Sequence, residues 1–156
     1  MRKGGVLVES VLMLPILLAL LIGTVELARV TYTYHMLQKT MYTLARYLGT
    51  QQGVNFCNPE DLAVQAAIDY ALTDNPIVGL MPNMIQVRME RYDSSAQEVV
   101  ACDCSAAGCD ASQGALPPGF IAVSLTDGYL VRPVFWGFAV DPFPLRPAVR
   151  VPYGGT

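Results

Sequence analysis

The first fifty residues carry one uninterrupted helical pattern in two halves. From Gly5 to Val25, 21 residues hold a single charge, Glu9. At about 1.5 Å of rise per residue, such a run covers roughly the 30 Å hydrocarbon core of a bilayer. Beyond it, Leu27, Val30, Tyr34, Leu37, Met41, Leu44 and Leu48 recur at alternating spacings of three and four, one apolar stripe on a helix that has left the membrane. Arg29, Gln38, Lys39, Thr43 and Arg46 fall mainly off that stripe. Gly49 and Gly53, with polar Thr50, Gln51 and Gln52 between them, form a stop. The pattern predicts a continuous helix over 6–48, about 65 Å long. Half of it sits in lipid and half presents a seam for a partner.

The pattern then shortens. Asn58 as N-cap, Pro59 at the first helical position and Glu60 and Asp61 in the first turn predict a second helix to about Thr73, with Leu62, Ala66 and Tyr70 on one side. Asp74-Asn75-Pro76 ends it, and residues 77–83 form a loop around Gly79 and Pro82. From Ile85 the period becomes two: Ile85, Val87 and Met89 alternate with Gln86, Arg88 and Glu90, a strand with one buried face. Asp93-Ser94-Ser95 is a turn, and residues 97–104 return as a strand that points Cys102 and Cys104 to one face. After a small-residue loop to Gly119, residues 120–125 form a third strand with Ile121, Val123 and Leu125 on one side. Asp127-Gly128 is a hairpin turn leading into residues 129–136. Seven of the eleven prolines lie beyond residue 116 and make this region irregular or sheet-edge, with 148–151 as a last short strand. The expected fold class is α+β: a long helix and a short one packed on a small antiparallel sheet.

With the helix removed, about 100 of the 156 residues remain for one small head with a modest core. A net charge of −3 provides no basic patch, which argues against nucleic acid as a partner. Arg2 and Lys3 on the short N-terminal side predict that this end stays cytoplasmic, with the head across the membrane. Cys57, Cys102, Cys104 and Cys109 then face an oxidising compartment, where an even count favours disulfides. Three pairings are open. Cys57 joined to Cys102 or Cys104 would clamp the helical layer to the sheet, leaving the other to pair with Cys109; Cys57–Cys102 with Cys104–Cys109 is favoured, and the swap stays open. Zinc is the lesser reading of the same residues, because the Cys102-x-Cys104-x4-Cys109 spacing contains no CxxC knuckle.

The string Arg2-Lys3-Gly4-Gly5-Val6-Leu7-Val8-Glu9, followed by Leu14-Pro15-Ile16-Leu17-Leu18, by Glu26-Leu27-Ala28-Arg29 and by Ala45-Arg46-Tyr47, resembles the TadE-like pseudopilins of tight-adherence (type IVc) pilus systems. The likeness covers about the first 50 residues well and the remainder loosely. It implies a pilin-like fold and a structural role. Residues 1–4 are then a cytoplasmic leader, 5–25 the membrane half of the helix, 26–50 its amphipathic half, and 51–156 a periplasmic or extracellular head. A prepilin peptidase would read Gly4 and cut before Gly5, making Glu9 the fifth residue of the mature chain. Cleavage after Gly5 would instead put Glu9 at position four, off the family pattern. In these pilins a glutamate at position five pairs with the N-terminal amine of a neighbouring subunit during assembly. The implied partners are other pilin subunits, the pilus assembly platform, the prepilin peptidase and the bacterial inner membrane, crossed once.

Each remaining candidate has a plain alternative. Glu9 is either this assembly residue or a charge tolerated near the interface by the helix N-terminus. Pro15 kinks a membrane helix or lets it unwind locally inside a fibre. His35, the only histidine, has no ligating or catalytic partners at helical spacing and reads as solvated or subunit-facing. The chain contains no G-x-S-x-G, phosphate loop or His–carboxylate cluster, so an enzyme is not expected, nor a metal or other cofactor. The second function class is a membrane-anchored or secreted, disulfide-bonded binding domain. The two classes part at the mature N-terminus: Gly5 for the pilin, and Met1 or a residue beyond Gly23 for the binding domain.

Overall fold

The computed structural model describes residues 3–58, 60–95, 97–102, 119–135, 138–139 and 141–154, with residues 3–8, 134–135 and 138–139 as backbone only. Its order is helix α1 (Lys3–Gly49), helix α2 (Leu62–Asp74), a 3-10 turn (Pro82–Met84), and strands β1 (Ile85–Asp93), β2 (Glu98–Ala101), β3 (Phe120–Leu125), β4 (Tyr129–Val131), β5 (Val134–Phe135), β6 (Phe138–Ala139), β7 (Phe143–Leu145) and β8 (Ala148–Pro152). The class is α+β.

α1 is a single helix of 47 residues, and Pro15 lies inside it without ending it. At its far end the loose carbonyls are taken up in turn: Thr50 N donates to Tyr47 O at 3.3 Å, Gln51 N to Leu48 O at 3.1 Å, and Gly154 N to Gly49 O at 3.0 Å. The last of these ties the end of the chain to the end of the helix. Tyr153 reinforces it: its hydroxyl donates to Gln51 O at 2.9 Å, and Phe56 meets its ring edge-on at 5.9 Å.

The main sheet is antiparallel, in the order β2-β1-β3-β8. Its register explains the core. Ile85 faces Leu125, Val87 faces Val123 and Met89 faces Ile121; Ile121 and Val123 in turn face Val151 and Val149. With period-two alternation these eight apolar residues share one face. That face packs on α1, where Leu37, Met41, Leu44 and Leu48 are all within 1% of full burial. Burying such a side chain contributes about 2 kcal/mol. The opposite face carries Gln86, Arg88 and Glu90, and Arg150 on β8 reaches across β3 to form an ion pair with Glu90. β3 occupies the residues that alternation predicts.

Three expectations are corrected. The N-cap of α2 is Asp61, not Asn58: Asp61 Oδ1 accepts from Ala63 N at 2.8 Å. Asn58 instead accepts from Glu60 N at 3.0 Å, a local turn that satisfies the backbone before a helix starts. α2 also buries the other side. Val64, Ala67, Ile68 and Ala71 are in the core, whereas Leu62 is 86% and Tyr70 52% exposed. Two alanines among the four let α2 approach the helix beside it closely, which the bulkier Leu62–Tyr70 side does not.

The third correction concerns Asp127-Gly128, which does not close a hairpin. β3 pairs with β1 and β8, while β4 pairs with β7 in a separate two-stranded sheet. Gly128 has φ +81°, and a Cβ there would lie 2.9 Å from Pro144 Cβ and Arg146 Cγ. The left-handed turn therefore takes the chain off the main sheet and sets it tightly against β7. The single expected strand over 129–136 is split by Pro133 into β4 and the short β5, which pairs with β6. The returning strand expected over 97–104 is β2, Glu98–Ala101. It is extended by Cys102 N donating to Met89 O at 2.8 Å; Cys104 and the loop after it lie outside the described residues.

Candidate anchoring and assembly helix

α1 divides by what surrounds it. Gly4 and Gly5 are in its first turns. Glu9 is exposed one to two turns further on, where the unpaired N–H groups of a helix start favour a carboxylate. The large apolar side chains from Val11 to Leu21 then lie open on all sides: Val11 is 69% exposed, Leu14 61%, Leu17 63% and Leu21 60%. A helix apolar all round with nothing packed on it is a poor structure in water and a good one in lipid. It is long and apolar enough to cross a membrane.

The stretch from Ile22 to Met36 forms a neck. Its hydroxyls are turned back on the helix, Thr24 donating to Leu21 O and Thr31 to Leu27 O at 2.8 Å, and Thr33 to Arg29 O at 2.9 Å. Glu26 lies 3.9 Å from Arg29, and its second carboxylate oxygen is shielded with no hydrogen-bond partner among the described residues. Leu27 is 66% exposed, and Val30 and Tyr34 are half-buried. Gln38 donates to the Tyr34 hydroxyl at 3.1 Å. His35 is exposed, with the Tyr34 ring edge-on at 6.3 Å.

Among the described residues, the fully buried side chains of α1 begin at Leu37. The stripe read from the sequence thus has two fates: Leu37, Met41, Leu44 and Leu48 are core residues, whereas Leu27, Val30 and Tyr34 belong to the neck and lie outside the core cluster of the described residues. The docked face is also wider than the stripe, since Thr40 and Ala45 are buried beside it. Thr40 is accommodated because its hydroxyl donates to Met36 O at 3.0 Å. The 3.6-residue period carries the signal for both, because 40 and 45 flank 41 and 44 on the same face.

Cys57 and Cys102 are disulfide-bonded, and no free cysteine occurs among the described residues. Cys104 and Cys109, and with them the favoured pairing, lie outside the described residues. Whichever partner Cys57 takes belongs to the 102–109 segment, since the chain has four cysteines. The bond therefore ties the segment after α1 to the end of β2 or the loop that follows it. Among the described residues no three His, Cys, Asp or Glu side chains are grouped to hold a metal ion.

The arrangement of the described residues is one of anchoring and packing, with Gly4, Gly5 and Glu9 at one tip of the helix. Comparison with known proteins bears on the same part of the chain. No curated protein and no solved structure matches it. The model of the TadE-like protein family matches residues 4–46. That match begins at the first glycine of α1 and ends within the part docked in the head. The N-terminal helix, with its apolar run, its glutamate and its packing stripe, is therefore TadE-like, which points to a pilus-associated protein of tight-adherence systems.

Proposed function

We propose that the chain is a minor pilin of a tight-adherence, type IVc pilus: a structural subunit, not an enzyme, that serves surface attachment. It enters the bacterial inner membrane once, with residues 1–4 in the cytoplasm and the head in the periplasm. A prepilin peptidase cuts between Gly4 and Gly5, and Glu9 then meets the new amine of a neighbouring subunit. The assembly platform draws the subunit into or beneath the filament by its neck and membrane half.

The observation that carries this reading is the continuity of α1. One helix of 47 residues is bare and apolar at one end and built into the core of the head at the other. A cleavable signal peptide has no reason to continue unbroken into the core of the domain it delivers. In a filament subunit the same helix has to anchor the protein first and pack beside its neighbours later. The bare membrane half and the lightly covered neck supply surface for both. The cysteines fit the proposed compartment, because a disulfide persists where the environment is oxidising.

N-terminal sequencing of the protein from its native membrane fraction tests the proposal. Gly5 as the first residue is expected, with processing lost in a strain lacking prepilin peptidase. A mature chain beginning at Met1 or beyond Gly23 overturns it in favour of an anchored or secreted disulfide-bonded binding domain.

A further inference from the structure

A cleft on the head lies far from the processing end of α1. Tyr42, Thr43, Arg46, Tyr47 and Thr50 come from one flank of α1 and its end, and Tyr70 from the outward side of α2; together they line about 310 Å³. On α1 the spacings of three and four bring these residues side by side. Tyr47 and Tyr70 stack across the two helices, centroids 5.4 Å apart and planes at 28°. The three rings remain open to solvent: Tyr42 and Tyr70 are 52% and Tyr47 37% exposed.

The charge in the cleft runs against the rest of the chain. Among the described residues that line it, Arg46 is the one cation and none is a carboxylate, in a protein of net charge −3. Arg46 is exposed and makes no ion pair among the described residues. An unpaired guanidinium beside exposed phenols and Thr43 offers three distinct contacts: a planar fork for a carboxylate, flat apolar faces, and hydroxyls that donate and accept. Few ligand classes use all three at once. A pyranose ring has an apolar C–H face and a rim of hydroxyls, and a uronic acid adds a carboxylate in reach of the fork. The volume is at the small end of ligand sites, room for a ring or two.

Two other anions fit less well. Arg46 is 21 residues beyond Val25, about 30 Å along the helix, too far up for a phospholipid headgroup when the apolar half is in the bilayer. A nucleic acid stacks on aromatic rings too, but its backbone needs a row of cations rather than one.

We propose that this cleft binds a uronic-acid residue of an acidic polysaccharide, with the sugar face on the tyrosines and its carboxylate on Arg46. The site is complete within one chain and stands whether or not the protein enters a filament.

The test is calorimetric titration of the full-length protein in amine-oxide micelles, which contain no sugar. The probes are a galacturonate tetramer, the neutral galactose tetramer and an oligothymidylate. The galacturonate oligomer is expected to bind about tenfold more tightly than the neutral one. Arg46→Gln should remove that preference, Arg46→Lys should keep part of it, and Tyr42→Ala should weaken both sugars. Both side chains changed are exposed, so melting temperatures should match wild type, and a variant that melts lower is replaced by Tyr42→Phe or Arg46→Met for the same comparison. Absence of heat with galacturonate, an Arg46→Gln variant that binds it like wild type, or tighter binding of oligothymidylate overturns the proposal.

Discussion

Leu44→Ala isolates what the head gains from α1. The side chain is fully buried and belongs to the core cluster that includes Leu37, Met41, Ile121 and Val123. Truncation removes its transfer free energy and leaves a cavity between a helix and a sheet that are each held by other contacts, so collapse around it is limited. For a fully buried leucine in such a site the loss is about 3 kcal/mol. In a head of this size that corresponds to a fall in Tm of roughly 12–15 °C. Leu27→Ala removes the same atoms from a side chain that is 66% exposed in the neck, and its expected effect on the head is below about 0.5 kcal/mol. The assay is thermal unfolding of full-length protein in micelles, followed by near-ultraviolet circular dichroism. That signal reports aromatic packing in the head, whereas far-ultraviolet signal also counts helix that micelles hold together. A Leu44→Ala variant that melts within 2 °C of wild type, or a Leu27→Ala variant that falls as far, refutes the division of α1 at Leu37.

Three further outcomes are expected. Glu9→Ala should leave processing intact while piliation falls at least tenfold; unchanged piliation, counted by electron microscopy, returns Glu9 to a tolerated interfacial charge. Cys57→Ser should cost about 4 kcal/mol, the value for a closed loop of some 45 residues or more, and peptide mapping of the wild type without reductant should join Cys57 to the 102–109 segment; unchanged melting removes the clamp. Burial raises the Tyr153 phenol above its ordinary 10.0, so folding favours the protonated form. Its contribution is intact below pH 10, is lost as pH rises through the higher folded value, and should be absent from Tyr153→Phe, whose melting above pH 10 declines less steeply than wild type.

Sequence periodicity served best where one element faces one environment. Residues 120–125 alternate strictly because β3 is an inner strand with one face on α1, and its bounds are those of the pattern. The apolar run and the 37–48 part of the stripe were equally plain. Periodicity failed where two faces of an element are both apolar: on α2, Leu62-Ala66-Tyr70 and Val64-Ala67-Ile68-Ala71 are both plausible stripes, and the choice rests on which packs closely against a second helix. It also failed for β4, since a left-handed glycine allows a hairpin but does not choose the partner strand. Of the candidate site, the tip of α1 was legible as a motif. The tyrosine cleft was not, because Tyr70 comes from another helix and reaches Tyr47 only through the packing of the two.

The way α1 is built into the head also has a mechanical side. A helix drawn lengthwise moves as a rod, so Leu37, Met41, Leu44 and Leu48 must leave their places in the core at the same moment. Those four span about 16 Å of the rod, and beyond them the Gly154–Gly49 bond fastens its tip. Load applied at the bare end is therefore divided among them instead of falling on each contact in succession. A tether of this kind resists a steady tug far better than a strand peeled from a sheet edge, one bond at a time.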